Sequence, residues 1–232
     1  MVIVNTLPPA SVCFPPEHIN PSNPGCFFPA HNVMAIGKFE SMHIGHRALI
    51  HKAKERSKQL GLPSVIMSFF PHPFTVLGDK NYKPLLAFSD VLYILSEVCK
   101  VDFFLQYPFT KAVSKLHPEE FCKILFYELN AKELFVGEDY RFAVNRSGTG
   151  EHLKKEALRY GAKVNVVPFE KHDGAIISTS NIRKLIEQKN YEAANKMLGF
   201  EHINSHGIIQ RVSPLSVHLQ SFRKFLQIPY EQ

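Results

Sequence analysis

Residues 32–46 read NVMAIGKFESMHIGH, and this stretch decides the fold. Its first five residues, Asn32–Ile36, form an apolar run of strand length, and its last residues open an amphipathic helix that we predict over Ile44–Leu60. Two glycines and two histidines lie near the turn between them. A buried strand that passes through a polar turn into a helix is the first half of a βαβ unit, from which parallel sheets are built.

The same order of apolar run, turn and helix repeats along the chain. We predict further strands at Ser64–Phe70, Asp102–Gln106, Leu134–Val136 and Lys163–Val167, and further helices at Ser89–Cys99, His117–Leu129, Gly150–Tyr160, Ser180–Gln188 and Tyr191–Leu198. Val2–Val4 is typical of a short edge strand, whereas the proline-rich residues up to 30 should be extended or turning. Strands that alternate with helices favour an α/β fold with a doubly wound parallel sheet. Ligands of such sheets bind beyond the carboxyl ends of the strands, where the strand order reverses.

The turn after Ile36 contains a candidate phosphate site. Gly37 and Gly45 permit a ligand to approach the backbone closely, and His43 and His46, three residues apart at a helix start, can face one spot. Free N–H groups and the positive end of the helix dipole suit a phosphate there, and a triphosphate would push both imidazoles towards the charged form. The alternative is two ordinary surface histidines, but the glycines and the strand–helix context favour the phosphate site.

A second candidate phosphate site lies late in the chain, where Ile177–Arg183 reads ISTSNIR and opens a helix. Hydroxyl and free N–H groups at a helix start form a cradle for an anion. Arg183 lies one turn further in and can bind phosphate through two N–H groups. Taken alone, an ordinary helix cap followed by a solvent-facing arginine is at least as good an interpretation.

Composition narrows the function classes. Of the 232 residues, 45% are hydrophobic and 21% charged, and no apolar run approaches the roughly 20 residues of a membrane-spanning helix. The N-terminus has no basic leader, so we expect a cytoplasmic protein without a membrane partner. The net charge of +6 suits an anionic ligand but is spread along the chain, so we expect no nucleic-acid partner. The oligomeric state is open, and we expect a monomer.

The cysteines and histidines do not predict a metal site. The four cysteines are scattered without metal-type spacing and are expected to be free thiols: Cys13, Cys26, Cys99 and Cys122. Among the histidines only His202 and His206 are four residues apart, and their context is not helical. We therefore assign no metal ligands to the protein.

Several segments together resemble the adenylyltransferase module of bacterial FAD synthetases. His43–His46 is similar to the family's His-x-Gly-His, and Ile177–Arg183 to its Ile-Ser-x-Ser-x-Ile-Arg. Three further segments agree in the same order: Ser68–Pro73 with Phe-x-Pro-His-Pro, His117–Phe121 with Ser-Pro-Glu-Glu-Phe, and Val136–Phe142 with Val-Gly-Glu-Asp-Phe-Arg-Phe. Other nucleotidylyltransferases share His-x-Gly-His, whereas the Pro-His-Pro and Gly-Glu-Asp segments are specific to FAD synthetases.

This resemblance implies a Rossmann-like sheet of the nucleotidylyltransferase type over residues 1–200 and adenylyl transfer from ATP to FMN, which gives FAD and pyrophosphate. It implies these catalytic residues: His43, His46, Ser180 and Arg183. It implies these ATP contacts: Gly37, Lys38, Phe39, His43, Gly45, His46, Gly137, Asp139, Ser178, Thr179, Ser180 and Arg183. It implies these FMN contacts: Phe70, Pro71, His72, Pro73, Asp139, Arg141 and Phe142. Mg²⁺ is expected with ATP, held mainly by the phosphates and water.

Without the resemblance, two of these segments have simpler interpretations. Pro71–Pro73 is then a rigid loop, and Phe142 is a core aromatic residue, which is the usual place of such side chains.

The chain departs from the family pattern in its first motif, Gly-x-Phe-Asp-Gly-Val-His-x-Gly-His. Glu40 stands at the Asp position and Ser41 at the following Gly position. If that glycine uses a positive φ, serine would strain the loop by about 1–2 kcal/mol. Glu40 would move its charge outward by about 1.5 Å, one carbon–carbon bond. We therefore expect a site that is slow or has re-adapted.

A second departure concerns the C-terminal residues. The sequence contains no Gly-x-Pro-Thr-Ala-Asn segment, which is the signature of the family's riboflavin kinase domain. We expect residues 201–232 to be a short tail, a remnant of that domain, with a helix over Val217–Leu226. The expected chain makes FAD from FMN but does not phosphorylate riboflavin.

Two other functions remain open on the sequence. One is a catalytically weak nucleotide- or flavin-binding protein with a regulatory role, which Glu40 and Ser41 motivate. The other is an adenylyltransferase with a different phosphate acceptor, because His-x-Gly-His is widely shared. The Pro71–Pro73 segment discriminates between acceptors, since it should contact an isoalloxazine ring only in a flavin enzyme.

Overall fold

The computed structural model describes residues 1–4, 28–78 and 82–210, and these residues form two compact units. The first unit contains the described residues of Met1–Lys38, Leu49–Tyr82 and Val101–Pro168. The second unit contains Phe39–Ala48, Lys83–Lys100 and the described residues from Phe169 onward. The proline-rich stretch before residue 28 and the helix predicted over Val217–Leu226 lie outside the described residues.

The first unit contains a six-stranded parallel sheet. Its strands are β1 (Val2–Val4), β2 (Asn32–Ile36), β3 (Ser64–Phe70), β4 (Phe103–Pro108), β5 (Ala131–Gly137) and β6 (Lys163–Val167). Their order is β1-β4-β3-β2-β5-β6, and every neighbouring pair is parallel. From β2 the chain winds through β3 and β4 to one side and resumes with β5 and β6 on the other. The doubly wound α/β prediction is therefore confirmed, with the switch point between β2 and β5.

The central strands explain why the sheet forms. Val33, Met34, Ala35 and Ile36 of β2 are each at most 1% exposed, although neighbouring side chains of a strand point to opposite faces. Both faces of this strand are thus buried, as in parallel sheets covered on both sides. By contrast, β1 lies at the edge of the sheet, as predicted, and pairs only with β4 among the described strands.

The helices follow the predicted pattern with local differences. They are α1 (Ile44–Leu60), α2 (Pro73–Val76), α3 (Phe88–Tyr93), α4 (Pro118–Lys123), α5 (Gly150–Leu158), α6 (Thr179–Glu187) and α7 (Tyr191–Leu198). The helices predicted over Ser89–Cys99 and His117–Leu129 are α-helical only in their first halves. Each continues as a π-helical turn, over Ile94–Val98 and Ile124–Glu128 respectively. None of the described helices is long and apolar enough to cross a membrane.

The second unit contains a hairpin that the sequence reading missed. Its strands are β7 (Lys171–His172) and β8 (Ala175–Ile176), which pair antiparallel. The two residues between them, Asp173 and Gly174, both have positive φ, of 49° and 78°. Asp-Gly with two positive φ values is the preferred two-residue hairpin turn. The hairpin leads directly into α6, which begins the second candidate motif.

Candidate active site

The loop Phe39–His43, which leads into α1, takes its tight turns at residues other than Ser41. Phe39 and Met42 have positive φ of 49° and 44°, whereas Ser41 lies outside the left-handed region. The strain expected at Ser41 is therefore absent, and that part of the sequence prediction is wrong. Phe39 and Met42 are held in this conformation by burial, since each side chain is at most 1% exposed.

The His43 ring caps the start of α1. Its Nδ1 accepts a hydrogen bond of 3.1 Å from the backbone N–H of His46, which would otherwise have no partner in the first turn. The ring is only 6% exposed, and burial, with the charge of Arg47 as a second cause, lowers the pKa of His43 to about 3. His43 is thus neutral at physiological pH, with its proton on Nε2. This differs from the charged imidazole expected beside a triphosphate.

His46 lies against the His43 ring. The two imidazoles are stacked with centroids 3.7 Å apart and planes 12° apart. The edge contact of His46 with Phe39, at 5.3 Å between ring centroids, restricts it from another side. The sequence prediction that both rings share one spot at the start of α1 is therefore confirmed.

The second motif begins α6 as the sequence predicts. Ser178 is the N-cap residue, and its hydroxyl accepts from the N–H of Asn181 at 3.2 Å. Thr179 and Ser180 form the first turn of the helix, and Ser180 is exposed. Helix α6 thus presents hydroxyl groups at its positive end, where an anion is stabilised.

Three contacts within the second unit bring the two motifs together. The Ser41 and Thr179 hydroxyls are 2.8 Å apart. The Arg183 guanidinium lies 3.0 Å from the Glu40 carboxylate. Gly45 lies so close to the Ile177 backbone that a Cβ built on it would be 3.6 Å from the Ile177 carbonyl oxygen. These contacts therefore place the histidines, the hydroxyls of α6 and Arg183 in one cluster.

Arg183 is fixed by two acceptors. Its Nη2 donates to Glu40 Oε2 at 3.0 Å and to the Lys83 carbonyl oxygen at 2.5 Å. The Glu40 side chain is 7% exposed, so its negative charge is buried beside the guanidinium. A charge-assisted hydrogen bond of this kind is among the stronger ones in proteins. Glu40 and Ser41, the two departures from the family motif, thus both form a side-chain contact with the second motif.

Arg47 is a functional candidate that sequence reasoning missed. It is fully buried, and its Nη1 donates to the Met42 carbonyl oxygen at 2.9 Å, which supports the loop before His43. Its guanidinium also lies 5.2 Å from the centre of the Phe200 ring. Burial lowers the pKa of Arg47 to about 10, so it remains charged at neutral pH. The signal in the sequence was an arginine among apolar helix positions, directly before Ala48.

Four candidate ATP contacts lie in the first unit, at the ends of β2 and β5. The Gly37 N–H donates to the Met67 carbonyl oxygen at 3.2 Å, and Lys38 lies 4.3 Å from the centre of the Phe74 ring. Gly137 ends β5, and a Cβ built on it would be 3.2 Å from Asp139 Oδ1. These residues lie at or just after the carboxyl ends of the two strands that flank the switch point, where the sequence predicts a ligand.

The Pro-His-Pro segment of the first unit forms an aromatic cluster. His72 caps α2 by accepting from the Phe74 N–H at 3.3 Å, and its ring stacks on Tyr82 at 4.0 Å and 9°. Phe74 meets both rings edge-on, at 5.1 Å from His72 and 5.8 Å from Tyr82. Phe70 is 62% exposed at the end of β3. The segment is therefore more than a rigid loop, because it presents aromatic surface.

Two further FMN candidates, Arg141 and Phe142, differ in their surroundings. Arg141 is exposed, and its guanidinium donates to the Tyr140 carbonyl oxygen at 3.0 Å. Phe142 is 6% exposed and packs on Phe121 and Tyr140, at centroid distances of 5.5 and 5.8 Å. It also covers Gly148, where an added Cβ would lie 2.5 Å from the ring. Phe142 is thus a core residue in this structure, and its contact with FMN stays a prediction.

Comparison with known proteins identifies the family of the chain. The family model described as FAD synthetase matches residues 28–181, which include the first motif and the start of the second, up to Asn181. The chain belongs to the FAD synthetase family. It is 32% identical over 174 residues to the bifunctional riboflavin kinase/FMN adenylyltransferase of Buchnera aphidicola subsp. Schizaphis graminum, and 31% identical over 169 residues to that of Escherichia coli. These alignments cover 73% and 72% of this chain but 55% and 54% of the relatives, so this FAD synthetase family member spans about half of their length.

A solved structure supports the fold of this FAD synthetase family member. The crystal structure of a protein from Streptococcus pneumoniae, described as a macrolide-efflux protein, matches with a TM-score of 0.67. The match covers 86% of this chain and 70% of that one, at 23% sequence identity. At this identity the likeness extends to the fold alone.

Proposed function

We propose that the chain transfers the adenylyl group of ATP to the phosphate of FMN and so makes FAD and pyrophosphate. Membership of the FAD synthetase family supports this activity. The observation that carries it is the joining of both phosphate motifs in one unit by Glu40–Arg183 and Ser41–Thr179. Two stacked histidines, two helix N-termini and an arginine held in place suit a polyphosphate.

In the proposed reaction, an oxygen of the FMN phosphate attacks the α-phosphorus of ATP. A new oxygen–phosphorus bond forms, the bond between the α-phosphorus and the bridging oxygen breaks, and pyrophosphate leaves with that oxygen. The nucleophile is already an anion near neutral pH, so the reaction needs no general base. Catalysis then comes from alignment of the reactants and from stabilisation of the charge that develops on the phosphates.

The second unit divides these tasks among its residues. Neutral His43 presents an Nε2–H that can donate to a phosphate oxygen, because its Nδ1 already accepts from the N–H of His46. The imidazole of His46 adds a second group at the same spot. Arg183 supplies positive charge that two acceptors hold in place. Thr179 and Ser180 add hydroxyls at the start of α6.

The remaining contacts are proposed for the first unit. Gly37, Lys38, Gly137 and Asp139 are proposed ATP contacts, since they follow the strands that flank the switch point. Arg141 and the segment Phe70–Pro73 are proposed FMN contacts. The Phe70 and Phe74 rings, which are 62% and 40% exposed, support the latter assignment, because exposed aromatic rings suit the flat isoalloxazine ring.

We further propose that Mg²⁺ enters with ATP. The described residues contain no group of three or more histidine, cysteine, aspartate or glutamate side chains that could hold a metal ion. Mg²⁺ does not need such a group, because it keeps several waters and can be bound mainly by phosphate oxygens. When bound, the ion would neutralise charge on the triphosphate.

The test mixes the protein with ATP, Mg²⁺ and one flavin, and separates the flavins by chromatography. We expect FAD from FMN but not from riboflavin, which lacks the phosphate nucleophile. ATP turnover with another phosphate acceptor, but not with FMN, would point to the alternative acceptor. Binding of ATP or flavin without product would point to the regulatory alternative. That alternative no longer draws support from strain at Ser41, because Ser41 does not have a positive φ.

A further inference from the structure

Asn195 of α7 holds the segment of chain that follows this helix. Helix α7 ends at Gly199, whose φ of 74° turns the chain back. The Asn195 side chain then makes three hydrogen bonds to the returning segment. Its Oδ1 accepts from the N–H groups of His202 and Ile203, at 3.2 and 3.1 Å, and its Nδ2 donates to the Ile203 carbonyl oxygen at 2.6 Å. Residues 202–203 are therefore held to α7 by their backbone.

His202 connects this segment to residues 83–87. The His202 side chain is 1% exposed, and its Nε2 lies 3.0 Å from the Leu85 carbonyl oxygen. A carbonyl oxygen can only accept, so Nε2 must bear the proton. The neighbouring residues of the bond are also buried, since Leu85 is 8% and Leu86 1% exposed. A hydrogen bond in such surroundings is costly to lose, because water cannot readily replace it.

The same short segment holds two groups of the candidate active site. Two residues before Leu85, the Lys83 carbonyl oxygen accepts from Arg183 Nη2 at 2.5 Å. One residue after it, the Leu86 N–H donates to the Glu40 carbonyl oxygen at 3.2 Å. Displacement of the Leu85 carbonyl would therefore move both neighbours of the Arg183 guanidinium.

We propose that His202 is a positioning residue for Arg183, acting through the segment 83–87. The proposal rests on the proposed function and deepens it, because it adds a residue beyond the family match, which ends at residue 181. Arg183 has a long side chain that can adopt many rotamers, so its alignment depends on fixed acceptors. His202 fixes one of them, the Lys83 carbonyl. The segment after α7, expected from sequence to be a remnant of another domain, then serves the phosphate site.

The test compares substitutions that remove or keep the Nε2 donor. In His202→Leu and His202→Asn no N–H group reaches the Nε2 position, whereas the amide of His202→Gln does. We expect His202→Leu and His202→Asn to lower kcat/KM for FAD formation by about five-fold, the size of one net hydrogen bond, and His202→Gln to stay within about two-fold of wild type. His206→Leu is the matched control, because His206 lies exposed in the same segment. Thermal unfolding identifies variants that are merely unfolded.

A double-mutant cycle with Arg183→Ala separates positioning from a general structural role. If His202 acts through Arg183, His202→Leu changes the rate less than two-fold once Arg183 is alanine. An equal loss in both backgrounds would overturn the proposal, as would a folded His202→Asn with wild-type rate. ATP affinity, measured by calorimetry with Mg²⁺ and no flavin, provides a second cycle. If the two substitutions are coupled in ATP affinity but no FAD forms, the role of His202 is supported and the proposed function is refuted. If FAD forms but the two substitutions are not coupled, the proposed function is supported and the role of His202 is refuted.

Discussion

Restoring the family residues at the departure positions, Glu40→Asp with Ser41→Gly, should slow the enzyme rather than speed it. The shorter aspartate draws the carboxylate back by about 1.5 Å, so the 3.0 Å contact with Arg183 opens to about 4.5 Å. A charge-assisted hydrogen bond contributes about 1.5–3 kcal/mol, and we take the lower end because the Arg183 side chain is 35% exposed and can partly follow. Ser41→Gly removes the 2.8 Å contact with Thr179, about 0.5–1.5 kcal/mol, and relieves no strain.

Together these losses amount to about 2 kcal/mol. If the whole loss of about 2 kcal/mol occurs in the transition state, the rate falls about thirty-fold. If Arg183 recovers part of its contact with the carboxylate, the rate falls about three-fold. The assay is the initial rate of FAD formation at saturating ATP and FMN, for both single variants and the double variant. Glu192→Asp is the matched control, since Glu192 forms an exposed 2.7 Å ion pair with Lys196 in the same unit. A double variant as fast as wild type, or faster, would refute the view that Glu40 and Ser41 are adapted to the second motif.

Three further outcomes are expected from the same structure. His46→Ala should lower kcat by roughly 10²–10³-fold while the flavin dissociation constant, followed by fluorescence, changes little; His152→Ala, on an exposed residue, is the control. Because the pKa of His43 is about 3 in the folded protein against 6.5 ordinarily, stability should fall as pH drops below 6.5, when the unfolded chain takes up a proton that the folded one does not. His43→Asn keeps a side chain that can cap the helix but has no imidazole to titrate. Between pH 7 and 4.5 it should therefore lose about 2.5 kcal/mol less stability than wild type in urea unfolding, and equal losses would contradict the assignment. Gly148→Ala should destabilise the fold by about 1–3 kcal/mol because its Cβ meets the Phe142 ring, and Phe142→Leu should relieve part of that loss in thermal unfolding.

Much of the fold could be predicted because its signals are local. The bounds of β2, α1, β3 and α7 agree with those predicted from hydrophobic periodicity. The π-helical turns at Ile94–Val98 and Ile124–Glu128 could not be predicted. The spacing of apolar residues indicates which side of a helix is buried, but it does not specify the backbone hydrogen-bond pattern of the last turn. Asp173-Gly174 indicates a turn, but the strands on either side are only two residues long. They are too short to show the alternation of apolar and polar residues that predicts a strand.

The candidate site divides in a similar way. The positions of His43 and His46 at a helix start, and of Ser178 as a cap, follow from motif spacing. The pairing of Glu40 with Arg183 does not, since 143 residues separate them and only the folded chain brings them together. Likewise, the strain expected at Ser41 assumed that this residue takes a positive φ, as the glycine of the family motif would. In this chain the positive φ values fall on Phe39 and Met42 instead.

The two units are interleaved along the chain, and this has a practical consequence for engineering. The site of the second unit draws on three separate stretches: 39–48 with Glu40, 83–100 with Lys83, and the described residues from 169 onward with Arg183. Trimming from either end cannot isolate these stretches, because first-unit residues lie between them. A single protease cut after Lys100 likewise leaves no fragment that contains a whole unit. The candidate site therefore cannot be transferred as one segment, and a graft onto another scaffold would need all three stretches in register.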